Sequence, residues 1–312
     1  MLYTGPELFD YLATASQSND PAASSHWQQQ HESFRFNDGA FEGLRGFGGC
    51  HEPYKGVRSV VHQLLQLPYI RQGKRLERFT KIDKVARKIA SLQGRAYDLD
   101  FIRQSITLTF LQEQLFNQDG GRSSVCIIGD GFASLASLML TTKTAKQVIL
   151  INLTKTLLVD CWYLKLCLGE ESFNKSVVLL DNESSIEQAR DATVVAIQAE
   201  HHNLLQALDF NLVVNIVSMG EMNPSTVNDY FTDIRAVAAR QKVHFYCCNR
   251  VEKPLPDGTI VRFSDYPWSD NDDILIDGLC PWHQKYYSSK FPFYHRYDGL
   301  VKHRLAVMAG GG

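Results

Sequence analysis

Three groups of residues have side chains or backbone suited to chemistry. The first is Ile127-Ile128-Gly129-Asp130-Gly131-Phe132-Ala133-Ser134, where a short apolar run meets two glycines. Lacking Cβ, such a chain turns tightly and lets a ligand approach its backbone. About 20 residues further on, where nucleotide sites place a carboxylate on ribose hydroxyls, stands Asn152, whose amide can still bond a diol. Gly129, Asp130, Gly131 and Asn152 are therefore candidates to hold a nucleotide-type cofactor. The second group is Glu221 with His201 and His202, three candidate general bases for a hydroxyl nucleophile that reacts poorly while protonated. Neighbouring histidines point in different directions, so only one of that pair is expected to face a common site. The third group, Asp270, Asn271, Asp272 and Asp273, offers the hard oxygens that magnesium or calcium prefers, but in no recognised loop spacing. A solvated acidic loop is expected there, and no metal requirement.

The glycines restrict the cofactor. Gly129 and Gly131 fill the first two positions of the dinucleotide fingerprint, but Ser134 stands at the third and the ribose acid is missing, which argues against NAD. No Gly-Lys-Ser/Thr follows, which argues against Walker-type phosphate binding. S-adenosylmethionine (SAM) has no pyrophosphate and asks only that its amino-acid portion and sulfonium lie against the backbone. A strand-to-helix turn that binds nothing remains the alternative on these residues alone.

The elements that must position these groups follow from hydrophobic periodicity. Val57, Val60, Val61, Leu64 and Leu65 keep helical spacing up to Pro68; Ile82, Val85, Ala86 and Ile89 repeat it, and Phe101 to Phe116 is a third helical stretch. Residues 1–50 are rich in Ser, Asn, Gln and Gly, with five glycines between Asp38 and Gly49, and are expected to wrap or cap something. After the turn signal Asp119-Gly120-Gly121 the rhythm becomes strand, helix, strand. Strands are expected at Val125–Ile128, Val148–Ile151, Val177–Leu180, Val194–Ile197, Leu212–Val217 and Val243–Cys247. Helices are expected at Phe132–Leu140, Thr156–Leu168 and Pro224–Arg240, the last capped by Asn223 and lined by Val227, Tyr230, Phe231 and Ile234. Ile260–Phe263 and Tyr294–Val307 could add late antiparallel strands. Alternation of this kind predicts an α/β fold with parallel strands and crossover helices, divided into an α-rich N-terminal region (1–121) and a sheet domain (122–312).

Composition excludes several classes. The 312 residues are 44% hydrophobic and 21% charged, with net charge −2, so no global field favours nucleic acid or anionic membrane. No apolar run approaches the ~20 residues of a bilayer span. The first 17 residues contain no Lys or Arg, unlike a secretory leader, and the seven cysteines lack paired CxxC spacing, so a cytoplasmic protein is expected. The basic stretch Arg71–Lys88 holds the single aromatic Phe79 and reads as a solvated helix face, so nucleic acid is not an expected partner. The aromatic run from Trp268 to Tyr294 suits a core-closing hairpin or a homo-oligomer interface.

One stretch narrows the reading. Phe210-Asn211-Leu212-Val213-Val214-Asn215-Ile216-Val217-Ser218-Met219-Gly220-Glu221-Met222, followed by Phe245-Tyr246-Cys247-Cys248-Asn249-Arg250, resembles the sugar O-methyltransferases among the class I methyltransferases. In that family a fourth strand runs into Asn-x-x-Ser-x-x-Glu-Met and a fifth ends in Asn-Arg. Leu153-Thr154-Lys155-Thr156-Leu157-Leu158 is also similar to the family's leucine-rich segment, and the likeness spans about residues 120–265. It implies a Rossmann-like class I methyltransferase sheet, SAM as methyl donor, and a sugar or glycoside hydroxyl as small-molecule acceptor. Asn215 and Ser218 then join the cofactor candidates, Glu221 becomes the first choice of base, and Met222, Asn249 and Arg250 are candidates for the acceptor. Ile127 and Asn152 stand where such enzymes usually carry acids, which motivates a contrasting reading as a catalytically silent, methyltransferase-like partner subunit.

Overall fold

The computed structural model describes residues 2–37, 39–44, 52–116 and 123–311. Cys50, part of the Asp38–Gly49 run, the turn Asp119-Gly120-Gly121 and the 121/122 division lie outside the described residues. The chain opens with β1 (Leu2–Thr4), α1 (Gly5–Ala15), α2 (Ser25–His31) and the hairpin β2 (Arg35–Asn37) with β3 (Ala40–Glu42). Three helices follow: α3 (Gly56–Gly73), α4 (Phe79–Leu92) and α5 (Leu99–Leu111). The α/β part runs β4 (Ser123–Ile128), α6 (Ser134–Thr141), β5 (Ala145–Asn152), α7 (Thr154–Leu168), α8 (Glu170–Ser176), β6 (Val177–Leu180), α9 (Ile186–Ala189), β7 (Val194–Gln198), β8 (Leu212–Ile216), α10 (Pro224–Ala238) and β9 (His244–Arg250). It closes with β10 (Glu252–Pro254), β11 (Ile260–Arg262), β12 (Asp273–Leu279), β13 (Lys285–Tyr287), β14 (Tyr294–Arg296) and β15 (Val301–Val307).

Nine strands form one sheet in the order β1-β6-β7-β5-β4-β8-β9-β15-β12. From β6 to β9 neighbouring strands are parallel, which buries both faces under helices; β1 and β15 run antiparallel to their neighbours. From β4 the chain steps outward through β5 to one side, then returns to β8 on the other, so β4 and β8 flank a topological switch point. This is the expected Rossmann-like α/β architecture, with β15 inserted between β9 and β12.

Strand alternation divides the core into two layers. Val125, Ile127, Val148 and Leu150 face one layer with α1, α4, α5, α6 and α7, whereas Cys126, Ile128, Ile149 and Ile151 face the other with α10. Leu8 and Leu12 of α1, Ile82 and Ile89 of α4, and Phe101 and Ile106 of α5 share one core with β4 and β5. Most expected elements appear within a few residues of their sequence bounds, with two corrections. Helix α3 runs through Pro68 to Gly73. The carbonyl that Pro68 cannot bond belongs to Leu64, an exposed residue. Asn223 does take the extended cap position before α10, but its side chain makes no capping bond. Among the described residues, no helix is long and apolar enough to cross a membrane.

Candidate functional site

A cavity of about 200 Å³ opens at the carboxyl ends of β4, β5 and β8, beside the switch point. Open α/β sheets place ligands there because diverging connections leave a crevice at that edge. Gly129 and Gly131 line it with φ of +79° and +88°, backbone conformations that side chains disfavour. A Cβ on Gly129 would stand 2.4 Å from Ser218 Oγ, so the β8 turn closes directly over the glycine loop. Val217, also on the cavity wall, holds φ +61°, a genuine outlier for a β-branched residue that costs about 1–3 kcal/mol. Its N–H donates to the Cys248 carbonyl at 2.7 Å, which ties the strained residue to β9.

Beneath this wall lies a closed polar latch. Asn215 and Asn249 are fully buried. The Asn215 amide donates to the Ile128 carbonyl (2.8 Å) and to Ser218 Oγ, while its oxygen accepts from Met219 N–H (3.2 Å) and Asn249 Nδ2 (2.7 Å). Asn249 Oδ1 accepts from Gly220 N–H at 3.0 Å, and Ser218 Oγ donates to the Ile128 carbonyl at 3.0 Å. Asn215 and Asn249, expected to touch cofactor and acceptor, sit one layer behind the cavity and set the turn that carries Ser218, Glu221 and Met222 to its wall. Arg250 pairs with Asp298 at 3.1 Å and lies 5.1 Å from the Tyr297 ring centroid. Arg250 is not among the residues that line the cavity, whereas Tyr297 is.

The glycine loop has its own supports. Asp130 accepts from Leu135 N–H (3.1 Å) and Ala136 N–H (2.8 Å), so its carboxylate caps α6. Asp160, buried on α7, accepts from Ala133 N–H (2.7 Å) and from the Asn152 amide (2.9 Å), joining the end of β5 to the loop. Asn152 lines the cavity with one amide group already committed; its oxygen also accepts from Leu153 N–H at 3.0 Å. Burial pushes the Asp160 carboxyl well above the usual carboxylate range, helped by the charge of Asp130, which burial also raises. The opposing cation is Arg95, 4% exposed, which donates to Ser134 Oγ at 3.1 Å and stacks 4.0 Å from the Phe132 ring centroid.

The N-terminal segment does wrap, and it does so over this crevice. Asp20 Oδ2 accepts from Thr154 N–H at 2.7 Å, capping α7, and Ser24 Oγ donates to the Glu221 carbonyl. The Glu221 carboxylate forms an ion pair with Lys253 and lies 3.6 Å from His26 Nε2. Burial holds the His26 imidazole below its ordinary range, although the Glu221 charge opposes the shift. Trp27 completes this wall of the cavity.

The adjacent histidines are elsewhere. His202 Nδ1 meets Asp233 of α10 at 2.6 Å, and neither His201 nor His202 lines the cavity; the loop after β7 contributes Ala199 instead. The Asp270–Asp273 stretch is also structural in part, since Asp272 pairs with Arg235 (2.8 Å) and accepts from Ser269 and Ala309 N–H groups. The sequence reading did not select Trp27, Arg95, Arg103, His283 or Tyr297, all on the cavity wall. Arg103 carried a readable signal, a cation amid the apolar α5 that is only 6% exposed. Trp27 carried none.

No protein-family model and no curated sequence matches the chain. Loosely similar solved structures include magnesium protoporphyrin IX methyltransferase from Synechocystis PCC 6803 with bound SAM (13% identity, 66% of this chain and 80% of that one, TM-score 0.38). Others are a putative RNA methyltransferase from Pyrococcus horikoshii (11%, 74% and 99%, TM-score 0.41) and a variant of MtNAS in complex with SAM (10%, 97% and 97%, TM-score 0.40).

Proposed function

We propose that the chain transfers the methyl group of SAM to a hydroxyl of a sugar or glycoside. The observation that carries this reading is the convergence of the Gly129–Gly131 loop and Glu221 on one cavity at the switch point. The motif resemblance supports it further, because Asn215, Ser218 and Asn249, its most specific residues, jointly build the turn that bears Glu221. SAM supplies the electrophilic methyl. The glycine loop leaves room for its amino-acid portion, Asn152 offers its amide to the ribose hydroxyls, and Met222 and Tyr297 face the acceptor.

In the reaction the acceptor oxygen attacks the methyl carbon in line with the breaking C–S bond, and S-adenosylhomocysteine leaves as a neutral thioether. Glu221 takes the hydroxyl proton as the C–O bond forms. Lys253 and His26 fix the direction of that carboxylate, and Trp27 with the strap around Ser24 shields the reacting atoms from water.

Transfer of labelled methyl from SAM to a panel of glycosides tests the reading. Glu221→Gln is expected to lower kcat about 10²- to 10⁴-fold with SAM affinity preserved. Near-normal turnover of that variant across pH would remove Glu221 from the role, and SAM binding without turnover on any acceptor would return the silent-subunit reading.

A further inference from the structure

Next to the cavity lies a second cluster that methyl transfer does not use. Cys248 is on β9 and fully buried, and because Cys247 and Cys248 alternate on the strand, only Cys248 faces the layer that holds Cys280. Cys280 and His283 belong to the turn Cys280-Pro281-Trp282-His283 just after β12, closed by a His283 N–H to Cys280 carbonyl bond at 3.2 Å. Cys280 is fully buried and His283 is 4% exposed. The two sulfurs and a His283 ring nitrogen all lie within 4.8 Å of one another. Neither ring nitrogen of His283 has a hydrogen-bond partner among the described residues, an expensive arrangement for a buried imidazole with nothing to bind.

We propose that Cys248, Cys280 and His283 form a binding site for a divalent, thiolate-preferring metal ion, zinc above all. Two sulfurs and one imidazole are the donor set that zinc selects, and oxygen-seeking magnesium or calcium would not use it. With bond lengths of about 2.3 Å to sulfur and 2.0 Å to nitrogen, ligand atoms of a tetrahedral zinc stand about 3.5–3.8 Å apart. Drawing this cluster together therefore moves any pair by about 1.3 Å at most. His303, opposite Cys248 in the β9–β15 register, stands beside this cluster, with its Nδ1 3.2 Å from the Tyr246 hydroxyl. Three protein ligands leave the fourth position to a small exogenous ligand. The metal would clamp β9 to the 280–283 turn across β15 and fix the His283 ring at the cavity wall. This site stands independently of the methyl-transfer reading.

The test is metal analysis of the full chain, purified under reducing conditions, incubated with zinc and desalted. About one zinc per chain is expected. Cys280→Ser and His283→Gln should bind more than about 100-fold more weakly, while Cys167→Ser, a cysteine on α7, binds as the unaltered protein does. Cobalt replacing zinc in the unaltered protein should give a sulfur-to-cobalt charge-transfer band in the near ultraviolet, a readout that holds even if a variant fails to fold. Absence of stoichiometric zinc, absence of that band, equal binding by the Cys280→Ser variant, or a Cys248–Cys280 disulfide found by mass analysis would each overturn the proposal.

Discussion

Two buried polar clusters flank β9, and they are built oppositely. In the latch of Asn215, Ser218 and Asn249, all the hydrogen-bonding capacity of the Asn215 amide is met by protein groups. At the Cys280–His283 turn, both imidazole nitrogens lack a partner among the described residues. A saturated network has nothing left for a ligand and serves as scaffold; an unsaturated one is costly unless something else completes it. The contrast explains why the family-like Asn motif lies behind the cavity instead of in it.

Stability in zinc-free buffer with a chelator should separate the two clusters most sharply. Asn215→Leu strands Met219 N–H, one of the two Asn249 Nδ2 hydrogens and part of the Ile128 carbonyl, and should cost about 2–4 kcal/mol in denaturant unfolding. His283→Leu removes an unpaired polar group of similar volume and should change stability by less than about 1 kcal/mol. Equal losses would erase the distinction.

A smaller effect concerns His202. Its hydrogen bond to Asp233, with that group's charge, raises the imidazole above its ordinary value of 6.5 against the effect of burial. The stabilisation is therefore full below pH 6.5 and is lost as pH rises through the elevated folded value. His202→Ala should destabilise by up to about 1 kcal/mol at pH 6 and by less at pH 9, with SAM affinity unchanged at both. A loss of affinity would bring His202 back to the site. The smallest change belongs to Asn223→Ala, expected within about 0.5 kcal/mol because the side chain makes no capping bond.

How much was legible depended on whether the signal was local. The strands β4 to β9 announce themselves as short β-branched runs between turn residues, and α10 through Pro224 and its apolar face, so the succession of strands and helices along the chain could be read, although their order across the sheet could not. β1, α1 and α2 could not. Their anchors are a few residues such as Leu8, Leu12 and Asp20, whose partners on the sheet and at Thr154 are far away in the chain. The glycine loop and Glu221 could be singled out because they stand at strand ends, and they line one cavity. Asn215 and Asn249 were legible as a motif, but their burial behind the cavity wall was not, since a buried amide and an exposed one have the same letter. Cys248 and His283 meet only through the β9–β15–β12 pairing, and no sequence spacing connects them.

The central claim, a SAM site on the Gly129–Gly131 loop, is tested most directly by calorimetric titration of the purified protein with SAM, S-adenosylhomocysteine and NAD. Micromolar binding of both adenosyl ligands, weakened by Asn152→Ala, and no binding of NAD are expected. Binding of NAD, or no heat from either adenosyl ligand even with a glycoside acceptor present, would contradict it.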